Sequence, residues 1–394
     1  MKSMNILIIG QCSLHWGRME FGNIGNYYII EPFFRQLHNT FEHAEIKTTM
    51  QLSERFQRAE QVKSLPLNLY YDWRDNELQL SDIEVELSEE YKRTGILIET
   101  TEYIEQVKWA DLVIDFSGDI WGDNANFLGK DRFNVGLNKV LTAQNMGKKT
   151  AMLAGSPGPF GNEVTKRLAK KIYKSFDIVT NREPISTDLL NAEGFDCSKT
   201  HTLPCPAFLF EAAQKNSVED TVKVVRNFGG KKEKPVVGFI ICGWNFEKGP
   251  FDKWPRNDEE YDNFVESVEF ICGQLGARVC LMSHSNGFDI PPLPFKLKHG
   301  RDYPIAKQLQ SILLKRGIAK DIVCIDELFE PWETKALIGT FDMLVTGRVH
   351  AAVAAFAQSI PTVVIDYGHE PKAHKLKGFA KIVGALQYVA QPSD

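Results

Sequence analysis

The residues best suited to do chemistry lie in Thr346-Gly347-Arg348-Val349-His350-Ala351-Ala352, with Lys372 further along the chain. An apolar run from Phe341 to Val345 stops at Gly347, and an alanine-rich helix is expected from His350. Arg348 and His350 therefore stand at a strand-to-helix junction, where open α/β sheets hold their ligands. The start of a helix offers free N–H groups and a positive dipole end, and Ala351 and Ala352 leave space for a group to approach. Guanidinium forks match carboxylate and phosphate oxygens, an ammonium adds a point charge, and an imidazole holds or passes a proton near neutral pH. Three such groups at one junction point to an anionic substrate. The same residues also suit an arginine paired with a carboxylate and a histidine capping its own helix.

Three further segments carry chemistry-bearing residues. Phe21-Gly22-Asn23-Ile24-Gly25-Asn26 precedes a helix expected around Tyr27–Leu37. Gly25 would let backbone approach a ligand closely, while the amides of Asn23 and Asn26 both donate and accept. Asn26 could equally be a plain helix cap. The spacing is not the G-x-G-x-x-G dinucleotide fingerprint. In Asp115-Phe116-Ser117-Gly118-Asp119-Ile120-Trp121-Gly122-Asp123-Asn124, two carboxylates (Asp119 and Asp123) and the Trp121 indole follow a strand. That set suits a sugar, with hydroxyls on the acids and an apolar face on the ring, and it also suits a turn held by Asx hydrogen bonds. Arg182 ends another short strand and could serve the same sheet edge or a surface ion pair. Asp366, His369, Glu370 and His374 lack the order of a zinc-binding helix, so no metal is expected. Ser156 sits outside a G-x-S-x-G elbow, which argues against a hydrolase triad.

The elements that must position these residues are short apolar strands alternating with helical stretches. Strands are expected at Asn5–Ile9, Asp111–Phe116, Thr150–Leu153, Asp177–Thr180, Pro235–Cys242, Val279–Met282, Ile322–Ile325, Met343–Val345 and Thr362–Ile365. Apolar strands without polar alternation imply parallel sheets covered on both faces. The expected fold is α/β, with two Rossmann-like domains facing a cleft. An amino-terminal domain spans 1–210, with a polar excursion at about 50–105; a linker at 211–234 includes Gly229-Gly230-Lys231-Lys232; a carboxyl-terminal domain spans 235–394. A length of 394 residues agrees with two cores. A formal net charge of −5 argues against a protein that coats nucleic acid. Seven scattered cysteines without a C-x-x-C pair fit a reducing cytoplasm. No window is long and apolar enough to span a bilayer, so membrane contact would be at most peripheral.

In order along the chain, these motifs resemble the polysaccharide pyruvyl transferase family. The resemblance runs through Gly22-Asn23-Ile24-Gly25-Asn26, Asp111 to Asp119, Gly155-Ser156-Pro157-Gly158-Pro159-Phe160, Thr180-Asn181-Arg182-Glu183-Pro184-Ile185-Ser186 and Pro204-Cys205-Pro206-Ala207-Phe208. It closes with Gly347-Arg348-Val349-His350-Ala351-Ala352, Ile360-Pro361, Tyr367 and Lys372. It implies a GT-B-like pair of Rossmann domains and transfer of a pyruvyl group from phosphoenolpyruvate to saccharide hydroxyls, giving a ketal in cell-surface or exopolysaccharide synthesis. The amino-terminal domain would take the acceptor and the carboxyl-terminal one the donor. Arg182, Arg348, His350 and Lys372 would surround the donor, with Arg182 and the Asn23 loop supplied by the amino-terminal domain. His350 would deliver the proton, and Asp119 or Asp123 would act as general base. No cofactor or metal is implied; the partners are phosphoenolpyruvate and a saccharide, whether lipid-linked or nucleotide-linked, and a homo-oligomer is allowed. The chain departs from the family pattern at Asn26 and at Pro204-Cys205-Pro206, where aspartate is common. A nucleotide-sugar glycosyltransferase of the same fold, or a non-catalytic carbohydrate-binding relative, are the competing readings.

Overall fold

The computed structural model describes residues 3–227, 234–247, 253–290, 292–368 and 373–391. Two compact units divide the chain: Met1–Met19 with Phe33–Cys205, and Glu20–Pro32 with Pro206–Asp394.

The first unit is built on seven parallel strands: β1 (Asn5–Ile9), β2 (Glu45–Thr48), β3 (Val62–Ser64), β4 (Leu112–Asp115), β5 (Lys149–Gly155), β6 (Ile178–Asn181) and β7 (Thr200–Thr202), in the order β3-β2-β1-β4-β5-β6-β7. Strand order reverses between β1 and β4, so the crevice beyond their carboxyl ends is the natural ligand position. Gly10 follows β1 there with φ +103°. An added Cβ would lie 2.7 Å from both the Asp115 carboxylate and the Ser117 amide, so the close approach of β1 and β4 requires glycine. The polar stretch at 50–105 is ordered structure: β3 plus helices at Glu54–Ala59, Glu77–Thr94 and Glu102–Trp109. It reads as aperiodic because its main helix packs through polar groups. The Asn138 amide donates to Ser81 Oγ at 3.0 Å, the Asn145 amide to Ser88 Oγ at 3.2 Å, and Lys139 pairs with Glu84 at 2.6 Å, all buried.

In the second unit a six-stranded parallel sheet has the order β12-β9-β8-β13-β14-β15, with β8 Val236–Ile240, β9 Arg278–Leu281, β12 Ile322–Cys324, β13 Met343–Thr346, β14 Thr362–Ile365 and β15 Val389–Ala390. An antiparallel pair, β10 (Asn286–Phe288) and β11 (Leu297–His299), stands apart from it. The order reverses between β8 and β13. At that point the Asn245 side chain accepts from Cys242 N at 2.9 Å and donates to Ile365 O at 3.2 Å, tying the ends of β8 and β14 together. Gly347 is required beside it, because an added Cβ would overlap the buried Asn245 amide.

Two expectations are corrected. The linker at 211–234 contains an amphipathic helix, Glu219–Asn227, which buries Thr221 and Val225 as Val218 is buried just ahead of it; Gly229-Gly230-Lys231-Lys232 lies outside the described residues. Residues Glu20–Pro32, expected in the amino-terminal domain, belong to the second unit. Aromatic packing explains why: Tyr28 stacks on Phe210 at 4.6 Å, Tyr27 meets Trp332 edge-on at 5.9 Å, and Phe21 lies 5.1 Å from Phe295. Among the described residues no helix is long and apolar enough to cross a membrane.

Gly10→Ala should cost roughly 2–4 kcal/mol, the sum of a left-handed backbone and an overpacked switch point. Thermal unfolding of the two proteins measures it, and an unchanged midpoint would contradict the constraint.

Candidate functional site

The chemistry-bearing residues form two groups, one in each unit, at the carboxyl ends of the two sheets. In the first unit, Arg182 follows β6 and is 6% exposed. Its Nε donates to the Ser156 hydroxyl at 2.8 Å, and its Nη2 stands 3.9 Å from the Asp119 carboxylate. Asp119, about one-third exposed, is the acid in this group that faces a cation and retains access to solvent. Asp115 closes β4 and is buried; its Oδ1 accepts from Ser117 N at 2.8 Å and from the Ser117 hydroxyl at 2.5 Å. Burial pushes its carboxyl up to about 6, against the lowering effect of hydrogen bonds from Ser117 and Trp121. Asp115 thus secures the turn that carries Asp119.

Two expected residues of this group have other work. Trp121 is 2% exposed and packs edge-on against Phe133, Phe160 and Phe195 in the core, so it offers no face on which a sugar could stack. The bulk and flanking aromatics of an indole are better served by the core than by the crevice. Asp123 accepts the Gly161 amide at 2.5 Å, and its own N–H donates to Pro159 O at 2.9 Å. It therefore holds the Gly158-Pro159 loop, the Asx role that competed with catalysis in the sequence.

In the second unit, Arg348 follows β13 and is 6% exposed. Its Nε donates to Asp302 Oδ2 at 3.0 Å, and its Nη2 donates to Asp302 Oδ1, a two-pronged pair with a fully buried carboxylate. Burial works against the guanidinium charge, but the charge and hydrogen bonds of Asp302, together with Cys242 and Tyr367, hold the group above its ordinary value. His350 lies one residue inside the helix Val349–Phe356. Its imidazole rests on Gly25, where an added Cβ would come within 2.6 Å of Cγ, and meets Phe379 edge-on at 5.8 Å. Alanines fill this helix because Ala351, Ala352, Ala354 and Ala355 are all buried in packing, rather than leaving space for a ligand.

Asn23, not Asn26, caps the first helix, which starts at Ile24: Asn23 Oδ1 accepts from Gly25 N at 3.2 Å, and its amide donates to Asn26 Oδ1 at 3.4 Å. Asn23, Gly25 and Asn26 therefore share a unit with His350 and Arg348, which corrects their expected placement with Arg182. Lys372, His369 and Glu370 lie outside the described residues. Asp366 is engaged by the Gln391 amide at 3.1 Å and Lys377 at 3.2 Å.

Sequence reasoning missed Asp302 and His284. His284 is fully buried just beyond β9, its backbone N–H donates to Asp302 Oδ2 at 3.3 Å, and its ring meets Tyr28 edge-on at 5.4 Å. Burial, helped by the Arg348 charge, lowers its pKa to about 3, so the imidazole is neutral at physiological pH. A signal was present: Ser283-His284-Ser285 follows an apolar strand just as Arg348 does. Asp302 was hidden because its helix begins three residues before the apolar periodicity that announces it.

Two parallel α/β units with polar groups at both switch points define a GT-B-like fold. The fold is similar to the UDP-GlcNAc 2-epimerase from Methanocaldococcus jannaschii, at TM-score 0.53 and 15% identity over 98% of this chain and 88% of that one. It is also similar to S. aureus MnaA in a structure with UDP, at TM-score 0.51 and 12% identity over 92% and 79% of the two chains. The profile of the polysaccharide pyruvyl transferase family matches residues 23–369, and the chain belongs to that family of transferases.

Gly25→Ala should displace the His350 ring and lower turnover by about 100-fold, the scale of an ångström-sized misplacement. Steady-state kinetics beside a thermal melt separates this from unfolding. His284 supplies a pH test. Its native pKa lies below the ordinary 6.5, so between pH 6.5 and about 3 the unfolded chain binds a proton that the native chain refuses. Wild-type stability should therefore fall on acidification through that window, and His284→Gln should lose up to about 1.4 kcal/mol less per pH unit. Urea titrations at stepped pH measure the difference.

Proposed function

We propose that the chain transfers a pyruvyl group from phosphoenolpyruvate to two hydroxyls of a saccharide, forming a pyruvate ketal in cell-surface or exopolysaccharide synthesis. Family membership across residues 23–369 carries this reading. The polar groups at the second unit's switch point support it as the donor side, and Asp119 with Arg182 supports the first unit as the acceptor side.

Phosphoenolpyruvate holds a carboxylate and a phosphate on one three-carbon skeleton, so its site needs several fixed donors and cations. Protonation of the methylene carbon makes a methyl group and leaves an oxocarbenium-like C2. One sugar hydroxyl adds to C2 and loses its proton; the C2–O bond to phosphate then breaks, and a second hydroxyl closes the ketal. Two hydroxyl protons leave while the methyl carbon and the departing phosphate each gain one, so the protons balance. His350 delivers the donor-side proton, the general acid role suited to an imidazole. Arg348 and Lys372 offset charge on the donor, and Arg182 holds charge in the first unit, the electrostatic contribution that is usually largest. Asp119 accepts a hydroxyl proton; Asp123 is tied to Gly161 and is the poorer base. The saccharide reaches the enzyme lipid-linked or nucleotide-linked, and the reaction uses no cofactor.

The S. aureus structure with UDP makes a nucleoside diphosphate the natural competitor to test. Phosphoenolpyruvate should raise the melting temperature, and His350→Gln should retain that shift while losing about 10²–10⁴-fold in kcat. Stabilisation by UDP alone, with none from phosphoenolpyruvate, would replace this reading with nucleotide-sugar transfer. Donor binding without ketal formation on any saccharide, followed by the methyl resonance of the product, would leave a carbohydrate-binding relative.

A further inference from the structure

The least explained polar group in the second unit is the His284 ring. It is fully buried, and neither Nδ1 nor Nε2 has a hydrogen-bond partner among the described residues. Buried polar groups are nearly always partnered, and exceptions mark an absent water, an ion or a ligand contact.

Its surroundings favour the last of these. His284 N and Arg348 Nε donate to the same oxygen, Asp302 Oδ2, so the backbone that carries the imidazole is anchored at the guanidinium's own partner, and the ring feels the Arg348 charge. Asp302 is held in turn, its backbone N–H donating to the Ser285 hydroxyl at 3.1 Å. On the other side the ring meets Tyr28, whose hydroxyl donates to Pro331 O at 3.1 Å. Tyr28 stands one helical turn from Gly25, on which His350 rests, and residues three apart share a helix face. One helix face therefore backs both histidines. Charge points the same way: Asp302 already offsets part of the Arg348 charge, so an anion seated there needs hydrogen-bond donors as well as cations.

We propose that the His284 imidazole is a substrate-binding contact of the second unit, donating a ring N–H to an oxygen of the anion seated at Arg348. The ring is fully buried, and the contact forms as the anion enters. A neutral donor suits this place, since it binds an anionic oxygen without competing with His350 to deliver a proton. The identity of the anion as phosphoenolpyruvate rests on the reading above; the contact itself requires only a phosphate or carboxylate oxygen.

The test uses the full chain labelled with ¹⁵N-histidine, titrated with inorganic phosphate and with phosphoenolpyruvate, each ring signal assigned by its His→Gln variant. The His284 ring nitrogens should move with at least one of the two. By calorimetry His284→Phe should weaken binding of that anion at least tenfold, and His284→Asn, which restores one N–H, should recover part of the loss. Ring signals indifferent to both anions would overturn the proposal, as would unchanged affinity in His284→Phe, or a crystal structure with bound anion in which water alone satisfies both nitrogens. If His284→Phe fails to fold, the wild-type titration decides by itself. Anion binding at His284 without pyruvyl transfer would sink the donor reading and leave this contact standing. Transfer that is unaffected in a folded His284→Phe protein would do the reverse.

Discussion

The buried pair between Arg348 and Asp302 is the interaction on which the second unit's site depends. Removing either partner leaves a lone charge in a nearly water-free place, a change that typically costs about 3–5 kcal/mol. The pair also sets geometry. It fixes the guanidinium plane after β13, anchors the backbone of His284 after β9, and seats the start of the helix Asp302–Lys315. Three segments distant in sequence are registered by one carboxylate.

The two sheets solve the same problem in different ways. Each must bring polar groups to the point where strand order reverses, and each needs a glycine there. In the first unit Gly10 makes room for Asp115 and Ser117, and Asp115 holds the turn bearing Asp119. In the second, Gly347 makes room for Asn245, which ties the ends of β8 and β14 around Arg348. Backbone groups at strand ends lack ladder partners, so a side-chain amide or carboxylate is placed to satisfy them.

Much of this organisation could be read from the chain. The apolar runs that became β1, β4, β5, β6, β8, β9, β12, β13 and β14 were visible because strands buried on both faces carry continuous Val, Ile and Leu. Arg348, His350 and Arg182 were visible because each follows such a run. The helix Glu77–Thr94 was not, since its buried face is Glu77, Ser81, Glu84 and Ser88, and polar residues carry no hydrophobic period. Trp121 drew attention for the opposite reason: an aromatic beside acids resembles a sugar platform until its burial is known.

Sequence alone determined the parallel α/β architecture, the order of motifs and the residue types at each strand end, because local periodicity and turn chemistry are properties of neighbouring residues. Tertiary structure decided who partners whom. It gave Arg348 to Asp302, set His350 on Gly25, buried His284 beside Asp302 and Tyr28, and moved Glu20–Pro32 into the second unit. Those outcomes depend on contacts between residues scores to hundreds of positions apart, where burial and charge pairing outweigh any local preference.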